Sequence, residues 1–375
     1  MKSFNTIHPL TVLNRKFLVA DLEIVREKGF EYFEKSEEWP VNENDFHEFS
    51  DFVRNSYNRI VCNINDPVVS DIALVESVFI NKIINISHYN YVDRYCDVNN
   101  IDLIPGNESS SYLDPKWDVT GDYYSKLASS YNRLTEFLRN KFKNIVFNKH
   151  LSIDKIFYGI FTDSEVAGIG SNDRIKQEYV INNNLFCDNK GGSKFINDAL
   201  LLYLKNTDNS SANNFSELVS KGVIEPFMRE IRNSGLIFVK DVDYDAIERV
   251  WLQRFLDAYK IYKGLFLIDM PKTLLVTEVG KPHSKIITLV FQRRGCKVLN
   301  FHHGNDSVLV NQHWTYQLLF SHCDNYVVDT EVMRKRFEEL SVDNKNIRKK
   351  ATKFISINSN YYSKLRKYTH HTNSG

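Results

Sequence analysis

The sequence predicts an α/β fold on a mostly parallel sheet, and three observations over residues 272–330 predict it. Apolar runs of strand length recur at Thr273–Thr277, Cys296–Phe301 and Asn325–Val328. Each is separated from the next by a segment with helical apolar spacing or polar loop character. The connections are short, as repeated βα units require. Thr273–Thr277 is a β-branched and leucine run suited to a buried strand. Pro282 suits the first turn of the next helix, where a missing N–H is harmless. Ile286, Leu289 and Val290, with Phe291 beside them, form one apolar stripe, and Gly295 marks the C-terminal stop.

The candidate site follows from where these strands end. In open α/β sheets, ligands bind beyond the carboxyl ends of the strands. Here those ends lead into Glu278, then His302-His303-Gly304-Asn305-Asp306-Ser307, then Asp329. The helix after the first strand begins near Lys281, Pro282, His283, Ser284 and Lys285, and its free N–H groups suit a phosphate. A carboxylate, an imidazole and a helix N-terminus on one crevice suit group transfer from a phosphate-activated donor. The simpler reading is that these polar residues only cap helices. Two imidazoles at the end of a buried strand argue against it. Strand alternation sends His302 and His303 to opposite sides. His303 is therefore expected to face substrate, with His302 packed behind it.

Along the rest of the chain, Leu22–Phe33 and Phe46–Tyr57 have helical spacing, and Arg59–Asn63 reads as a short strand. Val69–Ile86 is a helix with Ile72, Val75, Val78, Phe79 and Ile83 on one face. Asn100–Trp117 reads as an exposed loop, and Tyr123–Phe142 as a helix. Lys143–Phe147 and Lys155–Phe161 read as strands. The second leads into Asp163 and Glu165, candidate acid, base or nucleophile, unless Asp163 or Ser164 merely caps a helix. The glycines at 168 and 170 do not complete a dinucleotide fingerprint. Asn182–Asn214 is polar, holds one helical island at Phe195–Leu204, and is expected to be the most mobile surface. Leu236–Val239 reads as a strand before Asp241-x-Asp243, a pair that more often sits in solvent than on a metal. Asp245–Ile268 is an amphipathic helix, Glu331–Leu340 a charged one, and Phe354–Ile357 a last strand. The blocks expected are 1–140, helix-rich and packed on the sheet; 141–340, the α/β core; and 341–375, a tail or the start of a second domain.

The composition is compatible with a large core: 375 residues, 42% hydrophobic, 13% aromatic. Lys+Arg at 48 against Asp+Glu at 47 leaves no basic field for nucleic acid. The five cysteines are irregularly spaced with no CxxC pair, which argues against a disulfide scaffold or structural zinc and for a reducing compartment. The N-terminus lacks the apolar core of a signal peptide, and no run approaches a membrane span.

The elements Leu274–Glu278, His283–Gly295, Lys297–Gly304, Cys323–Asp329 and Val332–Leu340 together resemble part of the GT-B glycosyltransferases of bacterial capsule and lipopolysaccharide assembly. In those enzymes a strand ending in His-Gly precedes a strand with an early Asp. The resemblance covers roughly residues 245–360. It implies a Rossmann-like core, with a second domain that is reduced or cut short here. With the strand-end reading above, it gives catalytic roles to His303 and Glu278, while Asp163 and Glu165, outside the matched stretch, are catalytic candidates from their place after Lys155–Phe161. Substrate contacts would come from His302, Gly304, Asn305, Asp306, Ser307, Lys281, Ser284 and Lys285. Asn305-Asp306 replaces the Thr-Pro of polyol-phosphate transferases, and β-Kdo transferases, which use CMP-Kdo, are the favoured subclass. The expected donor is a nucleotide sugar serving as co-substrate, with no metal or other cofactor. The acceptor is a glycan or lipid-linked saccharide at the cytoplasmic face of the inner membrane, with weak peripheral attachment through residues such as those at 361–370. A CDP-polyol phosphotransferase and a non-catalytic scaffold subunit of a polysaccharide-assembly complex remain as alternatives.

Overall fold

The computed structural model describes residues 16–19, 27, 37–104, 155–158, 178–181, 199–200, 202–204, 206, 210–240, 242–268, 270–277, 282–302, 320–341 and 352–357. In chain order the elements are β1 (Phe17–Val19), α1 (Glu43–Cys62), α2 (Pro67–Asn99), β2 (Asp102–Ile104), β3 (Lys155–Tyr158), β4 (Glu178–Ile181) and α3 (Ser210–Val219). Then come α4 (Glu225–Arg232), α5 (Tyr244–Leu265), β5 (Thr273–Val276), α6 (Pro282–Arg293), β6 (Lys297–Phe301), β7 (Asn325–Val328), α7 (Glu331–Ser341) and β8 (Lys353–Ser356). No helix among the described residues is long and apolar enough to cross a membrane. The chain divides into two compact units, each assembled from separated pieces of sequence rather than from successive blocks.

One unit comprises Met1–Tyr57, Phe79–Pro115 and Ile224–Trp251. Its core centres on Trp251, fully buried, with Phe79 stacked on it at 5.6 Å, Tyr57 at 5.5 Å and Phe227 edge-on at 5.3 Å. Aromatic pairs in these offset and edge-on arrangements add to the gain from burial. A smaller cluster joins Leu18 of β1 to Val92, Cys96 and Ile101, and β1 pairs with β2 as a two-stranded parallel ladder. The stretch read as a loop from Asn100 thus contains β2. Three residues are too few for a period-2 signal, and β2 exists because β1 supplies its partner. Asn100 itself, at φ 54°, ends α2: Ile101 N–H donates to Cys96 O at 2.9 Å. Leu236–Val239 is also no strand. Ile237–Val239 forms a 3₁₀ turn, with the Tyr244 hydroxyl donating to Val239 O at 3.2 Å. A short apolar run does not itself distinguish these outcomes.

The other unit comprises Asn58–Val78, Lys116–Val223 and Leu252–Gly375. It holds a six-stranded sheet in the order β4-β3-β5-β6-β7-β8, every neighbouring pair parallel. The expected parallel neighbours β5 and β6 are in place, with Leu274 opposite Val298. Asn300 sits inside an apolar strand and is fully buried. Its amide accepts from Thr288 Oγ1 and donates to Asn325 O, both at 3.2 Å, so burial leaves it satisfied. β8 completes the sheet at its edge, in register with β7. Arg59–Asn63 is not a strand: it is the last turn of α1 and the turn after it, with Asn63 N–H donating to Ile60 O at 3.0 Å. Part of the polar stretch expected to be mobile is ordered as α3, where Phe215 stacks on Tyr259 at 4.2 Å.

α6 differs from the one-sided stripe the sequence suggests. Ser284 through Phe291 are all buried. The residues opposite the stripe meet other helices: Lys285 reaches Ser77 on α2, and Arg293 pairs with Asp71 on the same helix. A helix covered all round is central rather than peripheral. It stops where expected. Gly295, at φ +88°, has its N–H on Gln292 O at 3.1 Å, and Cys296 N–H reaches Phe291 O at 2.9 Å. This double bond pattern needs a left-handed residue, which glycine supplies without strain. The strand candidate Lys143–Phe147 and the helix Tyr123–Phe142 lie outside the described residues, as does all of Leu22–Phe33 except Glu27.

Candidate functional site at the carboxyl edge of the sheet

The strand register builds the site. Tyr158 is opposite Val276, Val276 opposite Asn300, Phe301 opposite Val327, and Val328 opposite Ser356. The strands therefore end nearly level, and the chain leaves all of them on one edge. The sheet order also changes direction between β3 and β5: β4 follows β3 to one side, and β5 through β8 run to the other. At such a switch point the connections diverge and leave a crevice beyond the strand ends. The segment after β3 carries Asp163 and Glu165, and the segment after β5 carries Glu278. His302 and His303 follow β6, one strand further on. Asp163, Glu165, Glu278, Lys281, His303, Gly304, Asn305, Asp306 and Ser307 lie outside the described residues. The strand ends that lead to them are within it.

Three of the sequence-derived candidates have described side chains. His302 extends the β6–β7 ladder, its N–H donating to Val327 O at 2.9 Å. Its ring sits edge-on to Phe337 at 5.3 Å and 6.2 Å from Tyr326. His302 is thus packed against aromatic rings, while His303 lies outside the described residues. Ser284 and Lys285 are fully buried. Lys285 Nζ donates to Ser77 Oγ at 3.3 Å. Burial pulls its pKa down to about 7, opposed by the nearby Cys323 and Glu76. An amine in this position has no open face for a donor phosphate, so Lys285 is a poor substrate contact.

Around Lys285 lies a polar cluster that sequence reading missed. Glu76 on α2 is paired with Arg254 on α5 in a two-point contact at 2.8 and 3.3 Å, and both are buried. His322 and Cys323 are buried side by side, Nε2 to Sγ 3.4 Å. The available signal was slight: Glu76 interrupts the apolar run Ile72–Ile80, and Arg254 lies between Leu252 and Phe255. A charge inside an apolar helical run is usually taken for its solvent face. Arg293 is held by Asp71, which also accepts from the Tyr262 hydroxyl at 2.8 Å. Arg294 is held by Leu265 O at 2.9 Å.

Among the described residues no group of three or more His, Cys, Asp and Glu could hold a metal. Asp243 caps α5, accepting from Ala246 N–H at 2.9 Å, while Asp241 is outside the described residues. No family model, curated protein or solved structure matches this chain.

Proposed function

We propose that this chain is a glycosyltransferase of GT-B type, moving a sugar from a nucleotide-activated donor to a surface-polysaccharide or lipid-linked acceptor, with CMP-Kdo the favoured donor. The observation that supports this reading is the adjacency of β3, β5 and β6, whose level carboxyl ends lead within a few residues to two sets of carboxylates and a histidine pair. A carboxylate beside the switch point can attack the anomeric carbon in a retaining transfer, or take the acceptor's proton in an inverting one. Asp163, Glu165 and Glu278 are the candidates. His303 serves as acid–base group or phosphate ligand, and His302 anchors the strand end from which it departs. Lys281 and the first amides of α6 are the proposed phosphate contacts.

The test is thermal unfolding of the full chain with CMP, CMP-Kdo or a CDP-polyol, followed by product analysis with a saccharide acceptor. CMP and CMP-Kdo are expected to raise Tm, reflecting about 2.7 kcal/mol at a hundredfold excess over Kd. Stabilisation by a CDP-polyol alone would move the chain to the phosphotransferases. No shift with any nucleotide would overturn an enzymatic reading in favour of a scaffold subunit.

A further inference from the structure

In the unit built from Met1–Tyr57, Phe79–Pro115 and Ile224–Trp251, one histidine joins all three pieces. The His88 ring, on α2, lies 4.6 Å from Phe46 on α1 and 6.3 Å from Phe238 in the 3₁₀ turn. Trp39 stands edge-on to it at 5.6 Å and donates its indole N–H to His88 Nε2 at 3.2 Å. Trp39 lies within residues 37–42, a strap tied at both ends. Glu37 N–H donates to Phe17 O at 2.7 Å, and Asn42 caps α1 by accepting from Asn44 N–H at 2.8 Å. Between those ties the indole bond holds Trp39 to α2, and Val41 packs against the cluster of Leu18, Val92, Cys96 and Ile101.

The chemistry of the bond fixes the protonation state. An indole nitrogen only donates, so Nε2 must carry a lone pair and the imidazole must be neutral with its proton on Nδ1. Protonation of Nε2 removes the acceptor and sets two N–H groups against each other. We infer that Trp39 and His88 form an acid-released latch, which ties the Trp39 end of the strap to α2 only while the imidazole is neutral. The ring contacts given above are aromatic. Of the charged groups on the packed elements, Glu37 pairs with Lys16 at 3.2 Å, His47 with Glu43 at 3.4 Å, and Arg94 donates to Ile237 O at 3.5 Å. Burial lowers the His88 pKa from its ordinary value. The unfolded chain therefore takes up the proton first as pH falls. Stability from this group is present above the ordinary histidine range and is lost below it. Release would free an indole that is already 44% exposed. The latch is independent of the glycosyltransferase reading.

The experiment is hydrogen exchange of the full chain between about pH 7.5 and about pH 5, with rates corrected for intrinsic pH dependence. The Glu37 amide, which donates to Phe17 O at 2.7 Å, is expected to lose protection about three- to tenfold on acidification, the scale of one hydrogen bond. His88→Gln keeps an acceptor oxygen at every pH and is expected to hold the neutral-pH protection throughout. Trp39→Phe keeps a ring but no donor, and is expected to be equally unprotected at both ends of the range. Unchanged protection in the wild type down to about pH 5 would overturn the latch. So would an acid loss in His88→Gln or Trp39→Phe that follows the wild-type curve. The Trp39→Phe comparison stands even if His88→Gln fails to fold.

Discussion

Lys285→Met should stabilise this protein at neutral pH, and the gain should shrink as pH rises. The lysine is fully buried in α6, with its amine on Ser77 Oγ and its pKa pulled from 10.5 to about 7 by desolvation. Between those two values the unfolded chain holds a proton that the native state has shed. Stability therefore rises with pH across this window, and the penalty is fully present below about pH 7. A shift of this size corresponds to about 5 kcal/mol as an upper bound. Methionine fills a similar volume without a charge. Ser77 retains its bond to Leu74 O at 2.7 Å, so no hydroxyl is stranded. Against the gain stand the lost hydrogen bond, about 1 kcal/mol, and the lost attraction to Glu76. The expected net effect at pH 7 is a gain of about 2 kcal/mol, in the range for replacing buried charge by apolar volume. From pH 7 to about pH 9 the wild type should recover about 2 kcal/mol relative to the variant, closing the gap. Urea unfolding followed by circular dichroism at each pH measures both quantities. A variant less stable at pH 7, with a stability curve parallel to the wild type's, would refute the reasoning. Lys285 would then be a charged partner of Glu76 throughout.

Three other outcomes follow from named contacts. Arg254→Met removes the two-point partner of the fully buried Glu76 and should cost about 3–5 kcal/mol in the same assay, whereas removing both partners together should cost much less. Gly264→Ala should cost about 1–3 kcal/mol, because a Cβ there would lie 1.8 Å from Ala199 O and backbone must move. Under the proposed function, His303→Ala should lose about 10²–10⁴-fold in turnover with little change in Tm. His302→Ala should instead lower stability by about 1–2 kcal/mol through its packing on Phe337. Kinetics at saturating donor and thermal melts separate the two histidines.

The sequence by itself determined the local units. Residues 273–357 carry strand and helix periods, Gly295 announces a left-handed stop, and β5, α6, β6, β7, α7 and β8 lie within a residue or two of where those signals put them. Such signals work because hydrophobic periodicity and capping act within a turn or two of chain. The place of His302 at the end of β6 was legible for the same reason. The tertiary structure decided what depends on distant partners. The pairing of β3 with β5 sets Lys155 opposite Thr273, and with it the switch point; no local pattern carries a strand's choice of neighbour. The burial of Lys285 depends on α2, whose Ser77 is 208 residues away, so a lysine that reads as a phosphate contact is enclosed instead. Leu236–Val239, apolar and strand-like alone, becomes a 3₁₀ turn where Phe238 packs on Phe49 at 5.0 Å. In each case the deciding energy is burial against residues remote in sequence, and this can override local preference.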